Sequence, residues 1–122
     1  MVNKILIVDD NPGDRLLIKE AINKAQLNCD IKEADTGEEG IKLLEEQKVD
    51  VVILDTKLPG IDGFETCQKI KENRGIKTKV IILTGVVDAI NVRRARNVGA
   101  DDYTVKTSNW EPLLDCIKNI KV

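Results

Sequence analysis

The sequence predicts an α/β fold, a doubly wound parallel sheet with helices on both faces, and three features carry that prediction. The runs "KILIV" (4–8), "VVIL" (51–54) and "VIIL" (80–83) are continuously aliphatic over strand length. Unbroken rather than alternating apolarity marks strands covered on both faces. Amphipathic stretches with helix start and stop signals lie between the runs, and the β-α alternation repeats five times in 122 residues. Parallel strands need such crossovers, and this length suits one domain, expected over 1–122.

Strand one, 4–8, runs into Asp9-Asp10. Asn11-Pro12 is a cap and first turn for a helix carrying Leu16, Leu17, Ala21, Ile22 and Ala25. "CDIKEA" (29–34) is polar enough for an edge strand, and "TGEE" (36–39) is a capping box before Ile41, Leu43 and Leu44. Strand three ends on Asp55, after which the chain turns at Leu58-Pro59-Gly60. Asp62, with Glu65 three residues on, opens the next helix, and Gly75 is its expected stop. Strand four leads into Thr84-Gly85, and the helix drawn from 86–100 ends at Gly99, an expected left-handed cap. "DYTV" (102–105) is the second edge strand and reaches Lys106. "SNWE" (108–111) reads as another capping box, with Pro112 in the first turn and Trp110 covering the helix start.

Composition narrows the function. Lys+Arg 19 against Asp+Glu 21 gives a net charge of −2, which points to neither a nucleic-acid nor a membrane partner. No apolar run is long enough to span a bilayer, and the first residues lack the pattern of a signal peptide. Cys29, Cys67 and Cys116 are widely spaced and odd in number, as expected for reduced thiols of a cytoplasmic protein. Histidine is absent. That excludes histidine-based triads, nearly all common zinc sites and a phosphohistidine on this chain.

The remaining chemistry collects at the strand ends, where open parallel sheets bind ligands. Asp9, Asp10 and Asp55 would repel one another there, and a divalent cation removes that conflict. An oxygen-only donor set suits Mg²⁺ or Mn²⁺, and a magnesium ion that keeps open positions suits a phosphate cargo. Lys106 and the Thr84 hydroxyl can meet phosphoryl oxygens, Gly85 leaves room for an anion, and Asp55 stands as the nucleophile.

The motifs "ILIVDD", "ILDTKLPGIDGFE", "VIILTG" and "GADDYTVK" fall in this order at successive strand ends. From about Lys4 to Ile120 the chain resembles the receiver domain of two-component response regulators, in its stand-alone, CheY-like form. The resemblance implies a flavodoxin-like sheet in order 2-1-3-4-5 with five helices. It implies phosphorylation of Asp55 by a sensor histidine kinase or phosphotransfer protein. Asp10, Asp55 and the Lys57 backbone carbonyl would bind Mg²⁺ directly, with Asp9 acting through water. Thr84 and Lys106 would take phosphoryl oxygens, and Tyr103 would be the switch aromatic that alters the face of helix four, strand five and helix five for a downstream target protein. Such a protein is a signalling switch and not an enzyme, limited to its own phosphorylation and slow hydrolysis. The alternatives are a phosphorelay intermediate and a phosphate-independent interaction module. A phosphohydrolase is disfavoured because Lys57 stands where such enzymes place a second acid.

The family usually has proline after the lysine, with a cis peptide; here Thr107 follows Lys106. A non-proline cis bond costs about 3 kcal/mol, so this peptide is either trans or cis at that cost. Lys57 and Val86 flank the approach to Asp55 and are expected to hinder hydrolytic water. Arg93, Arg94 and Arg96 are either a solvated helix face or part of a docking surface for an acidic partner.

Overall fold

The computed structural model describes residues 2–122. In chain order it contains β1 (Lys4–Val8), α1 (Pro12–Lys24), β2 (Asp30–Ala34), α2 (Gly37–Glu46), β3 (Val51–Asp55), α3 (Gly63–Glu72), β4 (Lys79–Thr84), α4 (Ala89–Asn97), β5 (Asp102–Val105) and α5 (Glu111–Asn119). The strands form one parallel sheet in the order β2-β1-β3-β4-β5, as expected. No helix among the described residues is long and apolar enough to cross a membrane.

Alternate residues of the central strands feed two cores. Leu6 and Val8, Val52 and Leu54, and Val80 and Ile82 point to the side of Leu44 of α2, Phe64, Cys67 and Ile70 of α3, and Ala95 of α4. Ile5 and Ile7, Val51 and Ile53, and Ile81 and Leu83 point to Ile18 and Ile22 of α1 and to Trp110, Leu113 and Ile117 around α5. Each fully buried aliphatic side chain contributes roughly 1.5–3 kcal/mol of transfer free energy. The register is well specified, because a slip by one residue would exchange the two sets.

Most helix boundaries follow local chemistry. Asn11 accepts from the Gly13 and Asp14 amides, Thr36 from Glu39, Asp62 from Glu65 and Asp88 from Asn91. Gly99 adopts φ +83°, and the Ala100 amide closes back on the Ala95 carbonyl, the left-handed ending expected there.

Four local expectations need correction. On α1 the buried residues are Ile18 and Ile22, whereas Leu16 and Leu17 are exposed and Ala25 is the C-cap. Leu16 and Leu17 lie off the inward stripe of α1, whose seam runs through 18 and 22, one turn apart. The fourth helix begins at Ala89, leaving Val86 and Val87 in the β4–α4 loop, because Asp88 caps it. The third helix stops at Glu72, before Gly75, where Asn73 turns the chain and its side chain accepts from the Gly75 amide. The "SNWE" capping box does not form. Asn109 accepts from the Glu111 amide instead, and Trp110 takes φ 59° at the helix start with its ring buried.

Gly63 connects this framework to the strand ends. Its amide donates to the Thr56 carbonyl at 3.1 Å, and α3 therefore begins directly against the end of β3. A Cβ at Gly63 would collide with the backbone carbonyl of Asp55, which cannot move without displacing the strand. Gly63→Ala is expected to destabilise the fold by about 1–3 kcal/mol, as overpacking does. A urea midpoint equal to that of the unsubstituted protein would show that α3 does not press on Asp55.

Candidate functional site at the carboxyl edge of the sheet

Asp9, Asp10, Asp55, Thr84 and Lys106 meet at the carboxyl edge because β1, β3, β4 and β5 end there in register. The Thr56 amide donates to the Leu83 carbonyl and the Lys106 amide to the Thr84 carbonyl, extending the pairing just past Asp55 and Thr84. Asp9, Asp10 and Asp55 each present a carboxylate oxygen within 4.8 Å of the others. Asp9 and Asp55 are buried and Asp10 is exposed.

Asp9 is held through its amide, which donates to the Ala34 carbonyl at 3.1 Å, and at three further points. One carboxylate oxygen accepts from the Asn11 amide at 2.9 Å and the other from Lys106 Nζ at 3.1 Å. Its backbone carbonyl accepts from the Arg15 guanidinium, which also pairs with Glu33 at 3.0 Å and Asp35 at 2.9 Å. Arg15 thus ties the first turn of α1 to the ends of β1 and β2.

Lys106 reaches across from the end of β5. Its Nζ lies 2.8 Å from Asp14, 3.1 Å from Asp9 and 3.5 Å from Asp55. Burial works against the ammonium, but the Asp14 hydrogen bond and the Asp55 and Asp9 carboxylates outweigh it and hold its pKa above the ordinary lysine value. No peptide among the described residues is cis, so the Lys106–Thr107 bond is trans.

Asp14 did not stand out in the sequence. It is a helix-start acid like many others, and only the fold reveals that its carboxylate meets a lysine 92 residues away. A weak signal existed in its spacing: it follows Asp10 by four residues, one helical turn into α1.

The other residues vary in how closely they join the cluster. The Thr84 hydroxyl donates to the Val86 carbonyl at 3.0 Å and accepts from the Val86 amide at 3.3 Å, closing the start of the β4–α4 loop. Tyr103 packs on the core beneath α4, and its hydroxyl is buried without a hydrogen-bonding partner. Burial raises the phenol pKa, and the neighbouring Thr84 hydroxyl opposes that rise. Lys57 is exposed and lines an open groove of about 600 Å³ with Asp10, Thr56, Asp62 and Arg94. Arg94 lies over the Phe64 ring at 4.1 Å and pairs with Asp62 at 3.2 Å, while Arg93 and Arg96 remain exposed. Burial pushes the Cys67 thiol up to about 12 and the Cys116 thiol up to about 11, which favours the neutral thiol over the thiolate.

Asp55 bears the electrostatic conflict. Burial first, then the charge of Asp9, raises its pKa from 3.8 to about 6, with Lys106 opposing. The folded state therefore holds a proton between these values that the unfolded chain releases. Asp55 contributes stability at low pH that is lost as pH rises through about 6. With a chelator present, unsubstituted protein should lose about 2–3 kcal/mol more stability than Asp55→Asn between pH 4 and 7. Equal pH dependence in denaturant titrations would show that the neighbours do not oppose ionisation of Asp55.

Comparison with known proteins agrees with this arrangement. A family model described as the response regulator receiver domain matches residues 5–118. The transcriptional regulatory protein AfsQ1 of Streptomyces coelicolor is 38% identical over 102 residues, covering 84% of this chain and 44% of that protein. The nitrate/nitrite response regulator NarL of Escherichia coli is 33% identical over 113 residues, covering 93% of this chain and 52% of that protein. The chain thus spans about half the length of the curated relatives it matches. Among solved structures, TrrA of Thermotoga maritima in complex with Mg²⁺-BeF is 34% identical with a TM-score of 0.83, covering 95% of this chain and 96% of that one. The chemotaxis protein CheY4 of Vibrio cholerae is 25% identical with a TM-score of 0.88, covering 99% and 100%. With a family match across nearly its whole length and this sheet order, the chain belongs to the response regulator receiver domains of two-component systems.

Proposed function

We propose that the chain is a single receiver domain that accepts a phosphoryl group on Asp55 and signals by the resulting change of surface. The observation that carries this reading is the joining of three close carboxylates and one lysine at a single sheet edge, with ionisation of Asp55 disfavoured. Such a site is short of positive charge. Its donors are all oxygen, which fits Mg²⁺ or Mn²⁺.

Asp10, Asp55 and the Lys57 backbone carbonyl would hold the metal directly. Asp9 would act through water, a role supported by the engagement of both its carboxylate oxygens with the Asn11 amide and Lys106. When bound, Mg²⁺ supplies positive charge that offsets charge on the phosphoryl oxygens. A carboxylate oxygen of Asp55 attacks the phosphorus of a histidine kinase or phosphotransfer protein. The O–P bond forms as the donor's P–N bond breaks, and that electron pair stays on the donor imidazole. Thr84 and Lys106 take phosphoryl oxygens.

Tyr103 reports the change on the face of α4, β5 and α5, which a target protein reads. The unpartnered hydroxyl of Tyr103 beside Thr84 supports that role. Turnover is limited to the chain's own phosphorylation and slow hydrolysis. Passing the phosphoryl group onward in a relay uses the same site.

Incubation with Mg²⁺ and a small acyl phosphate should add one phosphoryl group by intact mass, and Asp55→Asn should abolish the adduct. No adduct would favour a phosphate-independent module, and many phosphates released per chain would favour a hydrolase. Val86, 66% exposed in the β4–α4 loop, shields the phosphorus together with Lys57. Val86→Asn should therefore speed dephosphorylation several-fold, and an unchanged decay rate would remove the shielding role.

A further inference from the structure

Asp14 has no part in the chemistry described so far, yet it makes the shortest contact to Lys106. It sits at the third position of α1, where its amide is held by the capping Asn11 side chain at 3.1 Å. A carboxylate there is favourable for the helix alone. That explanation does not account for where its side chain goes. The carboxylate leaves the helix and meets Lys106 Nζ at 2.8 Å, across 92 residues of sequence.

Three carboxylates surround one ammonium whose three protons could serve one each, yet its position between them is unequal. Asp14 and Asp9 lie within hydrogen-bonding distance, at 2.8 and 3.1 Å, and Asp55 lies outside it at 3.5 Å. Asp9 is fixed by the Asn11 amide and by Arg15 on its carbonyl, so its share of the lysine is set by the backbone. The division between Asp14 and Asp55 is the adjustable one. Lys106 is 20% exposed and Asp14 29%, so their attraction is only partly screened by solvent.

We propose that Asp14 is a positioning residue that draws Lys106 toward α1 and away from Asp55, restraining phosphorylation of the resting protein. This rests on the reading of Asp55 as the phosphoryl acceptor. Lys106 must give up part of its contact with Asp14 to reach an oxygen bound on the Asp55 side. Asp14 thereby favours the unmodified state through a residue it does not share with the metal. Its carboxylate acts through Lys106 and touches neither phosphorus nor metal.

The test is a double-mutant cycle over Asp14→Asn, Lys106→Met and the pair, using a small acyl phosphate, saturating Mg²⁺ and intact mass. Asp14→Asn should gain the adduct about fivefold faster, the size of one partly exposed ion pair. In the Lys106→Met background the same change should bring no gain. A second measurement needs no reaction: the Lys106 Nζ resonance of the metal-free protein, followed by nitrogen-15 NMR, should move in Asp14→Asn. An unchanged or slower rate in Asp14→Asn overturns the inference and leaves the Asp55 reading standing. So does a gain that persists without Lys106, which would be a general effect of removing negative charge, or an unmoved Nζ resonance. Absence of an adduct on the unsubstituted protein overturns the Asp55 reading and this inference with it.

Discussion

Covering both faces of the sheet constrains everything else in this molecule. The residues of β1, β3 and β4 that face the helices are aliphatic, and their backbone groups are consumed by parallel pairing. A polar side chain cannot emerge midway along such a strand without an unpaired group in the core. The strand ends are the remaining outlet, and parallel direction puts the carboxyl ends on one side. Asp9, Asp55, Thr84 and Lys106 are neighbours because of this, although up to 97 residues separate them in the chain.

Bringing acids together in this way has an electrostatic cost, and the surroundings offset only part of it. Lys106 is shared among three carboxylates and Arg15 is spent on the Asp9 carbonyl and the end of β2. Asp55, buried and the farthest of the three paired carboxylates from the lysine, is left with the raised pKa. A shortage of positive charge of this kind favours a cation. The end of β3 is packed in turn by α3, which starts against the Asp55 carbonyl at a residue with no side chain.

Much of this was legible in the sequence, for a definite reason. Strands covered on both faces are written as unbroken aliphatic runs, so "VVIL" and "VIIL" located β3 and β4 and the residues that end them. Caps such as Thr36 and Asp62 are local, involving residues three apart, and could be read directly. What failed depended on distant partners or on competition between near-equal options. Ile18 joins Ile22 in facing the core, and Leu16 and Leu17 do not, because the sheet decides which stripe of α1 is inward. Asn109 displaced Ser108 as the acceptor at α5 because Trp110 turned left-handed to bury its ring. Asp14 looked like any acid at a helix start until Lys106 was placed beside it.

The Thr84 hydroxyl has one proton, and at present the Val86 carbonyl has it. Whatever else accepts that proton takes it from the backbone of the β4–α4 loop. The bond in which the hydroxyl accepts from the Val86 amide does not depend on that proton and can persist when it is redirected. The loop carries Val86 and Val87, both more than half exposed, and leads directly into α4 with Ile90 on its outer surface. One hydroxyl at the end of β4 is thus bonded directly to the backbone of a loop whose next apolar side chains face solvent.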